Sequence, residues 1–143
     1  MRVLVTGHNG YVGSIMMPML VKAGYDVAGL DSNLYEESTY GLENEKLDFP
    51  EVKKDIREIE ANDLKGFDAI IHLAGLSNDP LGDLNPDLTL EINYEASLRI
   101  ATLAKKVGVE RFIFSSSCSN YGAGVQDWLD EKSSFNPVTP YGT

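Results

Sequence analysis

Apolar residues in this chain fall into short runs that alternate with longer stretches of helical period. Met1–Thr6 is apolar and rich in β-branched residues, which predicts a buried strand. Val12, Ile15, Met16, Met19 and Leu20 then recur on one helical face, and Gly24 ends the pattern. Tyr25–Leu30 reads as a second strand, closed by Asp31. Ser32 to Pro50 is polar and rich in Glu, Asn and Tyr, which predicts a loop with room for one short helix. Phe49–Lys54 reads as a short third strand, and Arg57–Leu64 as a helix closed by Gly66. Asp68–Ala74 is almost continuously apolar, the pattern of a strand buried on both faces. Gly75–Pro86 is loop-like. Asp87–Val107 then predicts a long amphipathic helix burying Leu90, Tyr94, Leu98, Ala101 and Ala104, with Gly108 as its cap. Arg111–Ser115 is the fifth strand, and Ser116–Thr143 reads as polar loop.

Strands that alternate with helices predict an α/β fold: a doubly wound parallel sheet of about five strands with right-handed crossovers. Such sheets bind ligands outside the carboxyl ends of their strands. The unusual polar and glycine-rich segments all follow strands: Gly7 to Gly13, Asp31, Asp55, Leu73 to Gly75, and Ser115 to Ser117.

The first of these segments carries the sharpest chemistry. Gly7, Gly10 and Gly13 are spaced G-x-x-G-x-x-G between a strand and a helix, with Tyr11 and Val12 inside the turn. Residues without a Cβ let the backbone bend and let a pyrophosphate approach it. The helix start offers free N–H groups and the positive end of a dipole. Asp31 lies 18 residues beyond Gly13, at the end of the next strand, where a carboxylate can accept two hydrogen bonds from a ribose diol. Ser32, Asn33 and Leu34 follow it, with no adjacent base to hold a 2′-phosphate. Charge therefore favours NAD over NADP.

Composition sets the remaining bounds. The chain has 143 residues, enough for one domain with a substantial core. Its formal net charge of −10 argues against nucleic acid or an anionic membrane as a partner. The acidic cluster from Glu36 to Glu51 reads as a solvated loop. A single cysteine, Cys118, excludes an internal disulfide and a multi-cysteine zinc site. His8 and His72 lack the carboxylates that would complete a metal site, and His72 reads as a satisfied core histidine. Met1 runs straight into the first strand, leaving no room for a signal peptide, and no apolar run reaches membrane-spanning length. A cytoplasmic enzyme domain is the expectation.

Taken in order, the motifs resemble those of nucleotide-sugar epimerases and dehydratases, the extended short-chain dehydrogenase/reductase family. The resemblance covers Arg2 to Gly142. It implies an NAD(P)-binding Rossmann fold with NAD as cofactor. Asp55-Ile56-Arg57 is similar to the adenine-binding motif, with Asp55 accepting from the exocyclic amine and the Ile56 backbone against the ring. His72-Leu73-Ala74-Gly75 is similar to the segment along the nicotinamide-side ribose, and Asn93 to the helix asparagine that supports the site. Phe114-Ser115-Ser116-Ser117, with Tyr121-Gly122 downstream, resembles the catalytic segment and places Ser117 at the catalytic hydroxyl. Pro140-Tyr141-Gly142-Thr143 resembles the start of Y-x-x-x-K, which makes Tyr141 the base.

The chemistry suits those residue types. A tyrosinate can take the proton of a sugar hydroxyl when a lysine and a cationic cofactor lower its pKa. A serine hydroxyl shares the charge developing on the same oxygen. The resemblance implies an NAD-dependent epimerase, or a related oxidoreductase, acting on a nucleotide sugar. Family members that perform 4,6-dehydration carry Asp-Glu directly after the catalytic hydroxyl residue. Cys118 and Ser119 stand there, which favours epimerase or ketoreductase. The lysine would fall four residues after Tyr141, beyond Thr143, so the sequence resembles the N-terminal part of a longer enzyme and is expected to be inactive alone. An uncovered fifth strand predicts marginal stability or self-association, compatible with a homodimer. A non-catalytic dinucleotide-binding or interaction module is the alternative.

Overall fold

The computed structural model describes residues 1–35, 48–124 and 128–143. Five strands form one parallel sheet: β1 (Arg2–Thr6), β2 (Asp26–Asp31), β3 (Glu51–Lys53), β4 (Ala69–His72) and β5 (Arg111–Phe114). Their order across the sheet is β3-β2-β1-β4-β5, so the chain reverses direction of travel beside β1. Val3 pairs with Val27 on one side and with Ala69 on the other.

Alternation along each strand explains why both faces are covered. Leu4, Leu30 and Ile70 point to one face, where they meet Ala96, Ile100 and Ala104 of helix α4 (Ala96–Val107). Val3, Val5, Val27 and Ala69 point to the other and meet Met17 of helix α1 (Tyr11–Lys22). The Rossmann arrangement therefore follows from central strands, β1, β2 and β4, whose interior positions are apolar in succession rather than alternately.

Each helix buries only part of the stripe its hydrophobicity predicts. In α1 the sheet takes Gly13 and Met17, with Leu20 and Val21 partly covered, while Val12, Ile15 and Met19 are exposed. In α4 it takes Ala96, Ile100 and Ala104, while Leu98, and Leu90 and Tyr94 on the chain before α4, are exposed. Gly13 in α1 and Ala96 and Ala104 in α4 put little side-chain bulk between helix and sheet, and Met17 and Ile100 fill the space between.

Other expectations need correction in detail. Arg57–Leu64 is two short 3-10 turns, Ile56–Glu58 and Ala61–Leu64, with Gly66 at φ +78° after them. The segment Gly75–Pro86 contains helix α2 (Asp79–Leu84), whose Asn78 side chain accepts from Leu81 N–H. The long helix is interrupted: α3 (Pro86–Leu90) and a π turn (Glu91–Glu95) precede α4. Ser116–Thr143 includes a 3-10 turn, Cys118–Tyr121. The helix envisaged between Ser32 and Pro50, and most of the acidic cluster, fall largely within residues 36–47, outside the described residues. Ile113 and Phe114 of β5 are more than half exposed, matching the expected uncovered strand. Among the described residues no helix is long and apolar enough to cross a membrane.

Candidate functional site

The glycine turn is built by close backbone approach. Gly7 has φ +75°, and its N–H donates to the Leu30 carbonyl at 2.8 Å. A Cβ there would lie 2.6 Å from the Ala74 nitrogen, so the exit of β1 is pressed against the exit of β4. A Cβ at Gly13 would overlap the carbonyl oxygens of Gly7 and His8. Gly10 is the N-cap of α1, and no side chain caps that helix. The first-turn amides therefore remain available to an anion.

Asp31 ends β2 beside this turn. Its Oδ2 accepts from Asn9 N–H at 3.0 Å and its Oδ1 from Asn33 N–H at 2.8 Å. Asn33 sits in the left-handed region at φ +59°. Asn9 Nδ2 donates to Asn33 Oδ1 at 2.9 Å and ties the two loops together. Asp31, Asp55, Ile56, Leu73, Ala74 and Gly75 border a hollow of about 130 Å³, which Gly7 and Gly10 also line. Asn33 lies outside that lining and touches it through its N–H bond to Asp31. The Asp55 carboxylate is already engaged: it accepts from Arg57 N–H at 2.9 Å and from Arg57 Nη2 at 2.7 Å. Those hydrogen bonds hold it below the ordinary carboxylate range.

Behind the glycine turn the core is polar by design. His72, 1% exposed, bonds Thr6 Oγ1 through Nδ1 and Ser97 Oγ through Nε2 at 2.8 Å. Burial pushes its pKa from the ordinary 6.5 down to about 4, so it is neutral near pH 7. It is the satisfied core histidine its sequence context suggests. Asn93 lies in the π turn, a local widening common at functional positions. Its side chain accepts from Leu76 N–H at 2.8 Å and donates to Leu76 O at 2.9 Å, which fixes the loop after β4. Gly75 fits because a Cβ would come within 3.1 Å of Asn93 Oδ1.

A larger cleft of about 690 Å³ opens across the same strand ends. Gly7, Gly10, Tyr11, Val12 and Gly13 form one wall, and Leu73, Ala74, Gly75 and Asn93 the next. Ser115, Ser117 and Tyr141 close the far side. Ser117 caps the 3-10 turn: its hydroxyl accepts from Ser119 N–H at 3.1 Å and bonds the Ser119 hydroxyl at 3.1 Å. Tyr141 does not sit on a loose tail. Gly142 is buried against that turn, and a Cβ there would lie 2.6 Å from Ser119 O. Thr139 Oγ1 also bonds Asp79 Oδ1 at 2.8 Å.

Sequence reasoning missed three contributors. Asn9 was only a letter in the turn, with no sign that it would reach Asn33. Lys53 is the ladder neighbour of Asp31 on β3, so a base does stand near the acid, although none follows it in sequence. His8 is 2% exposed, its ring fills the space that a side chain at Gly29 would take, and neither ring nitrogen has a hydrogen-bond partner among the described residues. Its Nε2 lies 3.7 Å from Glu51 Oε1. Among the described residues no cluster of His, Cys, Asp or Glu could hold a metal ion.

The arrangement fits a dinucleotide: open helix-start amides for phosphates, an oriented carboxylate for a diol, and a backbone without Cβ obstruction between them. Known proteins agree with it. The NAD dependent epimerase/dehydratase family model matches residues 3–143. The UDP-glucose 4-epimerase of Mycolicibacterium smegmatis is 31% identical over 148 residues, covering 99% of this chain and 47% of that protein. An NAD-dependent NDP-hexosamine 5,6-dehydratase involved in tunicamycin biosynthesis superposes with a TM-score of 0.87 at 26% identity, over 99% of this chain and 46% of that one. The UDP-glucose-4-epimerase of Stenotrophomonas maltophila, solved with bound NAD and formylated UDP-arabinopyranose, gives 0.84 at 28% identity, over 99% and 44%. The chain thus spans under half the length of these relatives. The match over nearly its whole length, with the site geometry above, places it in the NAD dependent epimerase/dehydratase family, with NAD as its cofactor.

Proposed function

We propose that this chain is the cofactor-binding part of a nucleotide-sugar epimerase, or of a closely related oxidoreductase, that works by hydride transfer at a hydroxyl-bearing sugar carbon. One observation carries the reading. The glycine turn, Ser117 and Tyr141 line a single cleft at the carboxyl ends of the strands, although Gly7 and Tyr141 are separated by nearly the entire sequence.

NAD, when bound, supplies a hydride acceptor that later returns the hydride. The chain's own residues do the rest. The amides at the start of α1 receive the pyrophosphate. Asp31 takes the adenosine ribose, Asp55 and Ile56 border the adenine, and Leu73–Gly75, held by Asn93, lie along the nicotinamide-side ribose. Tyr141 takes the proton from the sugar hydroxyl, and the Ser117 hydroxyl donates to the same oxygen as charge builds there. To do so Ser117 must exchange its bond to the Ser119 hydroxyl for one to substrate. Cys118 and Ser119 supply no carboxyl pair for 4,6-elimination, which supports epimerisation or ketone reduction. The relatives' UDP-sugar activities suggest a UDP-sugar as substrate.

The test is a longer polypeptide that continues this chain through a lysine four residues after Tyr141 and a sugar-binding region. It should interconvert a UDP-hexose and its 4-epimer, and Tyr141→Phe should remove most of that turnover. Turnover unaffected by Tyr141→Phe overturns the mechanism. NAD binding with no turnover of any nucleotide sugar supports a non-catalytic dinucleotide module instead.

A further inference from the structure

The Asp31 carboxylate is not simply exposed at a strand end. Each oxygen already accepts one backbone N–H, Asn9 on Oδ2 and Asn33 on Oδ1. A carboxylate has about four acceptor positions, so about one is left on each oxygen. Two outward acceptors match the two hydroxyls of a vicinal diol. The second donor is presented by Asn33 in the left-handed region at φ +59°, which asparagine adopts more readily than other non-glycine residues. The Asn33 side chain is tied to the opposite loop, where Asn9 Nδ2 donates to Asn33 Oδ1 at 2.9 Å. The glycine turn and the loop after β2 are thereby clasped over the acid.

Charge alone does not make this site selective. Lys53 is the ladder neighbour of Asp31, so the acid does not stand in a purely negative setting. We propose that Asn9 is a positioning residue for cofactor choice: through Asn33 it fixes Asp31 toward the 2′ and 3′ hydroxyls and thereby excludes a 2′-phosphate. The inference rests on the reading of Asp31 as the ribose acceptor.

Calorimetric titration of the 143-residue chain with NAD and with NADP tests it, in the unmodified form and as Asn9→Ala, Asn33→Gly and Asp31→Ala. Glycine at 33 tolerates the positive φ and removes only the side-chain acceptor. The unmodified chain should bind NAD more tightly than NADP. Asn9→Ala should weaken NAD about five- to tenfold while leaving NADP little changed, so the ratio of the two dissociation constants narrows. Asn33→Gly should act in the same direction, and the two changes together should add little beyond either alone, because they break one bond. Equal loss for both dinucleotides, or no loss in either variant, overturns the role of Asn9 while Asp31→Ala still weakens NAD. Unaltered NAD affinity in Asp31→Ala, or no NAD binding by the unmodified chain, overturns the ribose reading and this inference with it.

Discussion

Replacing His72 by asparagine should flatten the dependence of stability on pH. In the folded chain burial holds His72 at about 4, against 6.5 for an ordinary histidine. Between those values the unfolded chain binds a proton that the folded chain refuses. Stability therefore falls as the pH drops through 6.5 and continues to fall toward 4. Proton linkage with these two values gives a loss of about 2 kcal/mol between pH 7 and pH 5. Asp55, the carboxylate lowered by Arg57, titrates below its ordinary 3.8 and stays charged throughout this window. Groups common to both proteins cancel when the variant is subtracted. Urea denaturation at pH 7, 6 and 5 is the assay. The unmodified chain should lose about 2 kcal/mol more than His72→Asn, a shift of about 1 M in the urea midpoint. Asparagine will lower stability at every pH because it leaves Thr6 or Ser97 without a partner, so the slope is the readout. Parallel curves for the two proteins refute the claim that His72 is buried neutral.

Three other outcomes follow from the geometry. Gly29→Ala should cost about 1–3 kcal/mol by overpacking, since its Cβ would lie 2.6 Å from His8 Nδ1; in a His8→Ala background the same change should be neutral or stabilising, as thermal melts of the four proteins will show. Gly13→Ala should abolish measurable NAD binding by calorimetry, because the Cβ would overlap the carbonyls of Gly7 and His8 and unseat the helix start. In the extended enzyme, Ser117→Ala should slow turnover by about 10²–10³, by analogy with deleting one oxyanion donor, and less than Tyr141→Phe.

The strands and the strand-end motifs were legible because each is set by local rules. A continuous apolar run predicts a doubly covered strand, and Gly7 and Gly13 permit a positive φ and a close backbone approach that other residues would block. Which face a helix buries was only partly legible. α1 and α4 each carry two apolar stripes, and the sheet selected the one with Gly13 or with Ala96 and Ala104, whose small size permits close approach. The π turn at Glu91–Glu95 had no signal in the apolar pattern, and the contact its Asn93 makes, to the backbone of Leu76, spans 17 residues. The aim of Asp31 was equally hidden. It comes from Asn9 and Asn33, 24 residues apart and joined only once the sheet has formed.

The central claim is that the carboxyl ends of these five strands build one NAD site. Amide NMR spectra of the 15N-labelled chain, recorded as NAD is added, test it most directly. Shifts should concentrate at Gly7–Gly13, at Asp31–Asn33, at Asp55–Ile56 and at Leu73–Gly75, while the opposite strand ends near Arg2, Asp26 and Asp68 stay still. Shifts centred on those opposite ends, or none at saturating NAD, would contradict the account.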